Sequence, residues 1–212
     1  MILNQVVSPA RPGRPKSEEK RASIREAAAR LFMSEGFERT SMDGIANAAG
    51  VSKQTIYSHF NNKDELFRGC VMTKTQEYEL LVDAEQYPVL DDGLRAMGDG
   101  YLRLMSDDTA VAMWRLMVGE ANIHPNVAKM FHETGPGASR GSLTAYLKQH
   151  GDELEIDDYA EAAAMFISLV AGQFQNDIML GVRNGVSDKE RDATVYRAIR
   201  QFRKLYGRSS HA

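Results

Sequence analysis

Apolar positions recur at helical spacing through most of the chain, and nowhere alternate as in a half-buried strand. The first clear stripe, Ile24, Ala27, Ala28, Leu31 and Phe32, follows Ser17-Glu18-Glu19, a capping residue with acids in the first turn, where the helix dipole favours them; Gly36 ends it. Thr40 or Ser41 caps a short second helix over 42–49 that Gly50 closes, and Ser52 caps a third over 53–60. Asp64 and Glu65 open a longer fourth helix whose stripe includes Phe67, Val71, Tyr78 and Leu81. Beyond Pro88 and Asp91-Asp92-Gly93, the punctuation predicts helices near 92–105, 109–121, 125–133, 138–150, 157–180 and 188–206. The expected fold class is all-α.

Composition narrows the class further. A chain of 212 residues with 43% hydrophobic and 26% charged positions is neither disordered nor collagen-like nor a simple coiled coil. A single cysteine, Cys70, excludes an internal disulfide and a cysteine-based zinc cage, which fits a reducing cytoplasm. The longest uncharged run, Ala162 to Asn176, is 15 residues, short of a membrane span. No signal-peptide stretch opens the chain, and no membrane partner is expected. Charge is unevenly spread: residues 1–68 carry 11 Lys and Arg against 8 Asp and Glu, and the remainder carries 15 against 21. A basic front end on an acidic body points to an anionic partner for the front end.

The first 16 residues hold Pro9, Pro12, Gly13 and Pro15 with Arg11, Arg14 and Lys16 among them, and read as a flexible cationic arm suited to a minor groove or to phosphates. The segment SMDGIANAAGVSKQTIYSHF, Ser41 to Phe60, has the pattern of a helix-turn-helix, two short amphipathic helices joined at Gly50-Val51-Ser52. Ile45, Ala46, Ala49, Val51, Ile56 and Phe60 form its inward set. Lys53, Gln54 and Tyr57 share the opposite face, and each can hydrogen-bond: Gln with an adenine edge, Lys with guanine or phosphate, Tyr with phosphate. An ordinary solvated helix face carries such residues too. A helix this short needs its neighbours to hold it, and it follows a basic arm; both favour nucleic acid.

With GRPK at 13–16 and AARLFMSEGFERTSMDGIANAAGVSKQTIYSHFNNKDELF from Ala28 to Phe67, the chain resembles the TetR/AcrR family of bacterial transcriptional regulators. That resemblance implies operator contacts from Thr40 and Ser41 at the start of the second helix. It implies further contacts from the third helix, Ser52, Lys53, Gln54, Thr55, Tyr57 and His59, and from Lys63 at the start of the fourth. Residues 114–121, the run from Pro125 to Pro136 and the late segment FISLVAGQF are similar to the ligand-binding half of the AefR-like branch. The implied organisation is an arm over 1–16, a three-helix DNA-binding head over 17–63, and a helical effector-binding and dimerisation domain over 64–212. LacI-type heads share the phrase AGVSKQT, but they open the chain and precede a strand-helix body.

Two further sets follow. Met97, Tyr101, Met113, Trp114, Met117, Phe131, Met165, Phe166 and Phe174 either fill the core or line an adaptable apolar pocket for an unidentified effector. Glu120, on the same face as Met113 and Met117, is either the counterion of a cationic ligand or the partner of an internal arginine. Ile167, Val170, Phe174 and Ile178 make one stripe, and Val195, Ile199, Phe202 and Tyr206 another. These either fold back on the domain's own core or pair with their copies across a two-fold axis. Arg197, Arg200, Arg203, Lys204 and Arg208 crowd the last helix and read as a solvated face. The glycines at 135–141 lack the spacing and preceding strand of a nucleotide loop, and the scattered histidines lack metal-ligand spacing. No cofactor, metal or catalytic function is expected.

Overall fold

The computed structural model describes the backbone of residues 14–208 and the side chains of residues 17–208. Among these the chain folds as α1 (Arg14–Glu35), α2 (Met42–Ala48), α3 (Lys53–His59), α4 (Lys63–Glu77), α5 (Leu90–Leu104), α6 (Asp108–Glu120), α7 (Pro125–Thr134), α8 (Pro136–Gln149), α9 (Tyr159–Ala171), α10 (Phe174–Met179) and α11 (Asp188–Tyr206), with a short 3-10 turn at Gly151–Glu153. The all-α class read from the periodicity is the fold observed.

Three boundaries differ from the sequence reading by more than two residues. α1 begins at Arg14, so Ser17 lies inside it and does not cap it. The long helix expected over 157–180 is two, because Gly172 adopts φ +46°, a left-handed conformation that an α-helix cannot continue through. α4 stops at Glu77, and Glu79 sits at φ 53°, which takes Leu81 out of the predicted stripe.

Two compact units are joined between Phe67 and Arg68, one helical turn beyond the expected division at 63/64. The first turn of α4 belongs to the head, where the fully buried Phe67 packs against Phe32 and Phe37. The rings of Phe32, Phe37 and Phe67 meet pairwise at 5.2–5.4 Å, tying the end of α1 and the loop after it to α4.

The second unit is organised around α5, α8, α9 and α11, whose inward faces bring Leu94, Met97, Tyr146, Phe166, Val170, Val195 and Phe202 into one core. Tyr146 is buried, and its hydroxyl donates toward the carbonyl oxygens of Val89 (2.8 Å) and Tyr87 (3.0 Å), satisfying the chain just before α5. Along the α5–α11 contact, Arg191 pairs with Asp99 and Arg203 with Asp91, an order that makes the two helices antiparallel. Arg203 also reaches Glu153 at 2.9 Å, and Arg208 Nε donates to the Leu154 carbonyl. Part of the arginine cluster on α11 is therefore engaged in holding the bundle, which corrects the reading of it as a purely solvated face.

The two late stripes also receive a correction as dimer-interface candidates. Val170, Ile178, Val195, Ile199 and Phe202 are buried in the protomer's own core, and Ile167, Phe174 and Tyr206 pack against it. An apolar stripe covers about a third of a helix circumference, and here it is consumed by contacts within the chain. What α9 and α11 leave at the surface is a different set: Met165, Tyr196 and Leu205.

Phe202→Ala should therefore cost about 3–5 kcal/mol in urea unfolding, whereas Tyr196→Ala, 59% exposed in the protomer, should cost about 0.5 kcal/mol or less when the unfolding is extrapolated to dilute protein. A second expectation concerns the start of α11. Glu190 closes a capping box with Ser187 and binds Arg183, whose guanidinium, with the Ser187 hydroxyl and amide, lowers its carboxyl to about 2. A carboxylate held ionised below its ordinary value near 4.5 contributes stability above that value and loses it as the pH falls toward about 2. The stability difference between the wild type and Glu190→Gln should shrink over that interval, read by circular dichroism.

Candidate nucleic-acid interface

Each short helix of the head is built by the same local logic. Ser41 caps α2, its Oγ accepting from the Gly44 amide at 3.0 Å, and Ser52 caps α3, its Oγ accepting from the Thr55 amide at 3.1 Å. Between them Gly50 takes φ +65°, and the Val51 amide returns to the Ala46 carbonyl, so the chain reverses within three residues. Ile45, Ala46, Ile56 and Phe60 are buried, which fixes the rotation of both helices. Arg21 of α1 lies over the Phe60 ring at 4.8 Å.

That rotation turns a polar surface outward. On α3, Lys53, Gln54, Tyr57 and Ser58 are exposed, with Tyr57 at 44%, and Ser41 and Ser52 are exposed at the two caps. Thr55 and His59 are half-buried beside them; Thr55 Oγ1 is 2.9 Å from Ser52 Oγ. The structure thus brings Ser41, Ser52, Lys53, Gln54 and Tyr57 onto the exposed part of the head, the arrangement a side chain needs to reach base edges and phosphates.

Thr40 and Lys63 are placed differently from the sequence expectation. Thr40 is buried, and its hydroxyl donates to the Gly36 carbonyl at 2.8 Å; a group spent inside the α1–α2 turn has no face for DNA. Lys63 is half-buried, its ammonium donating to the Phe37 carbonyl at 2.7 Å and the Glu38 carbonyl at 3.2 Å and lying 4.3 Å from the Phe37 ring centre. Its first role is to hold that same turn. Arg11 lies outside the described residues, as do the side chains of Arg14 and Lys16.

One residue escaped the sequence reading. Asp43, in the first turn of α2, binds Lys53 across the turn, Oδ2 to Nζ at 2.8 Å, and this hydrogen bond raises the lysine pKa. An acid in the first turn of one short helix and a base in the first turn of the next was the available signal, but only the packing of α2 on α3 brings them together.

In the body, the proposed pocket residues differ in burial. Met97 and Phe166 are close-packed in the core, and Met165 is 38% exposed on the outer face of α9, so it leaves the set. Met113 and Met117 are buried on α6, and Trp114 meets Phe131 of α7 edge-on at 5.7 Å. Tyr101 is half-buried with its hydroxyl 3.4 Å from Gln175 Oε1, and burial raises its phenol to about 12. Phe174 lies under the Arg183 guanidinium at 4.7 Å. Glu120 is half-exposed and pairs with His124 one turn on (3.4 Å). A cavity of about 160 Å³ lined by Met105, Ser106, Val111, Arg115 and Arg183 lies elsewhere in this unit. Its volume falls below the roughly 300 Å³ at which small-molecule sites begin.

A second polar cluster joins α4 to α6. Asp107 caps α6 through the Ala110 amide (2.7 Å) and accepts from the Tyr78 hydroxyl (2.7 Å) and the Lys74 ammonium (2.9 Å). Burial pushes the Asp107 carboxyl up, but these three donors outweigh it and hold it below its usual range. Burial and the bond to Asp107 raise Tyr78 to about 12. Among the described residues, no group of three His, Cys, Asp or Glu side chains is placed to hold a metal, and no helix is long and apolar enough to cross a membrane.

Comparison with known proteins falls on both units. Residues 24–70 match the bacterial regulatory proteins of the tetR family, and residues 92–208 match the C-terminal domain of AefR-like transcriptional repressors. The transcriptional regulator TtgR of Pseudomonas putida is 39% identical over 71 residues, 34% of each chain, so the match spans about a third of that curated relative. Among solved structures, the flavonoid-responsive regulator FrrA is 30% identical with a TM-score of 0.69, covering 92% of this chain and all of that one. A TetR-family regulator from Pseudomonas syringae pv. tomato is 27% identical with a TM-score of 0.63, covering 91% and 99%.

The placement of Lys63 yields a direct test. Lys63→Met keeps the aliphatic stem and deletes the ammonium, and should lower the unfolding free energy by about 1.5 kcal/mol in urea titration. An unchanged stability with weakened, less salt-sensitive DNA binding would instead make Lys63 chiefly a phosphate contact.

Proposed function

Since this chain belongs to the TetR family of bacterial transcriptional regulators, we propose that it is a dimeric, ligand-responsive repressor that binds a palindromic operator in the cytoplasm. The observation that carries this reading is the outward surface of α3, where Lys53, Gln54 and Tyr57 stand exposed on a helix whose rotation is locked by buried Ile56 and Phe60. In a dimer, each α3 enters a major groove, Gln54 and Lys53 address base edges, and Tyr57, Ser41 and Ser52 address phosphates. Arg11, Arg14 and Lys16 extend the footprint along the backbone or into a minor groove.

A two-fold dimer reads an inverted repeat. The surface proposed to form it is the outward side of α9 and α11, where Met165 and Tyr196 remain exposed after the inward stripes are buried. Repression, as opposed to activation, is supported by the AefR-like match over residues 92–208. The effector is proposed to be a planar aromatic compound. That choice is supported by the relative described as flavonoid-responsive and by the Trp114–Phe131 pair beside Met113 and Met117. Effector and operator binding are linked through α4, the helix whose residues belong to both units; each ligand then weakens the other by the same factor.

Selection of random duplexes by the purified protein at two salt concentrations should enrich an inverted repeat that persists at the higher salt. Gln54→Ala removes one bidentate base contact from each half-site, about 10- to 100-fold apiece, and should therefore lose about 10²- to 10⁴-fold in affinity for the full repeat, with an unchanged circular dichroism spectrum. Binding that enriches no motif and vanishes with salt would overturn the reading. Screening flavonoids for release of the selected duplex tests the effector class.

A further inference from the structure

Within the reading surface, one charge is of the wrong sign for DNA. Asp43 stands in the first turn of α2, where the helix dipole favours an acid, but its carboxylate lies on Lys53, the first residue of the reading helix. The two side chains are ten positions apart in sequence and 2.8 Å apart in space, and both are more than half exposed, at 65% for Lys53 and 58% for Asp43. An exposed pair of this kind adds little to the stability of the fold. Its effect falls on what the lysine can do.

Binding that ignores sequence is a sum of cation–phosphate contacts, each releasing condensed counterions. A lysine already paired with its own carboxylate contributes less to that sum, and the carboxylate itself is repelled by the phosphates. A base contact has a different requirement, because it needs the ammonium in one place. An ammonium has three N–H donors, so the bond to Asp43 leaves two for a base edge while biasing a long, otherwise freely rotating stem toward one position. The pair therefore weakens what every duplex offers and spares what one sequence offers.

We propose that Asp43 is a specificity-determining residue that acts through Lys53: it holds the lysine over the reading face and suppresses its use as a general phosphate contact. This inference rests on the DNA-binding reading above. Asp43 is a positioning residue and needs no contact with DNA itself.

The test uses the full-length protein, the selected duplex and a shuffled duplex of equal length, each titrated at several salt concentrations. Asp43→Asn should bind the shuffled duplex about three- to tenfold more tightly at low salt, with a salt slope steeper by up to about 0.9 per protomer. It should gain much less on the selected duplex, so the specificity ratio falls. Asp43→Glu, which restores the carboxylate, should recover most of the ratio. In a Lys53→Met background, Asp43→Asn should leave the ratio unchanged. Glu26→Gln is the control, since it makes the same charge change in the exposed Glu26–Arg30 pair of α1, 2.8 Å apart; it should leave the ratio as in the wild type. Thermal melting verifies that each variant is folded.

Equal gains on both duplexes, an equal fall in ratio with Glu26→Gln, or a ratio change that persists without Lys53 would overturn the proposal. If the wild type selects no motif, the DNA-binding reading fails and this inference with it. If the wild type is specific and the Asp43→Asn ratio is unchanged, only this inference fails.

Discussion

A seven-residue helix has no stability of its own in water, because nucleation fixes several residues for each hydrogen bond gained. Both helices of the reading head, α2 and α3, have that length. Everything the head presents to a partner therefore depends on burial behind it. Ile45, Ala46, Ile56 and Phe60 are removed from water, and the three rings of Phe32, Phe37 and Phe67 lock the end of α1 and the following loop to α4. Once these apolar residues face inward, the 3.6-residue period sends Lys53, Gln54 and Tyr57 outward.

The same dependence explains how polar residues divide between holding the head and serving it. Thr40 and Lys63 spend their donors on the carbonyls of Gly36, Phe37 and Glu38, because the α1–α2 turn exposes main-chain oxygens that no helix satisfies. Ser41 and Ser52 each accept from a helix amide and still remain at the surface. A cap bond consumes only part of a hydroxyl's capacity, so a capping serine can support its helix and meet a phosphate at once.

In the second unit the organising constraint is electrostatic as well as apolar. α5 and α11 bury one face against each other and are kept in register by Arg191 with Asp99 and Arg203 with Asp91. These partly exposed pairs fix alignment more than they add stability. Tyr146 supplies the main-chain counterpart, its buried ring filling the core while its hydroxyl satisfies the loop that leads into α5. A core filled in this way leaves Met97 and Phe166 as packing residues, and the half-buried Trp114–Phe131 pair as the more open aromatic feature.

The sequence by itself determined the helical class, the two reading-head helices with their serine caps and glycine turn, and the identity of the outward face of α3. All of these follow from local periodicity and capping chemistry, whose range is one or two helical turns. Tertiary structure decided the rest. Periodicity shows that Val170, Val195, Ile199 and Phe202 are apolar on one face but not which surface covers them, and a stripe that packs within the chain has the same spacing as one that packs between copies. The break at Gly172 was open for a similar reason, since glycine permits a left-handed conformation without requiring it. The Asp43–Lys53 pair is the sharpest case. The two stand ten positions apart in sequence, and only the packing of α2 against α3 sets a carboxylate on the first lysine of the reading helix.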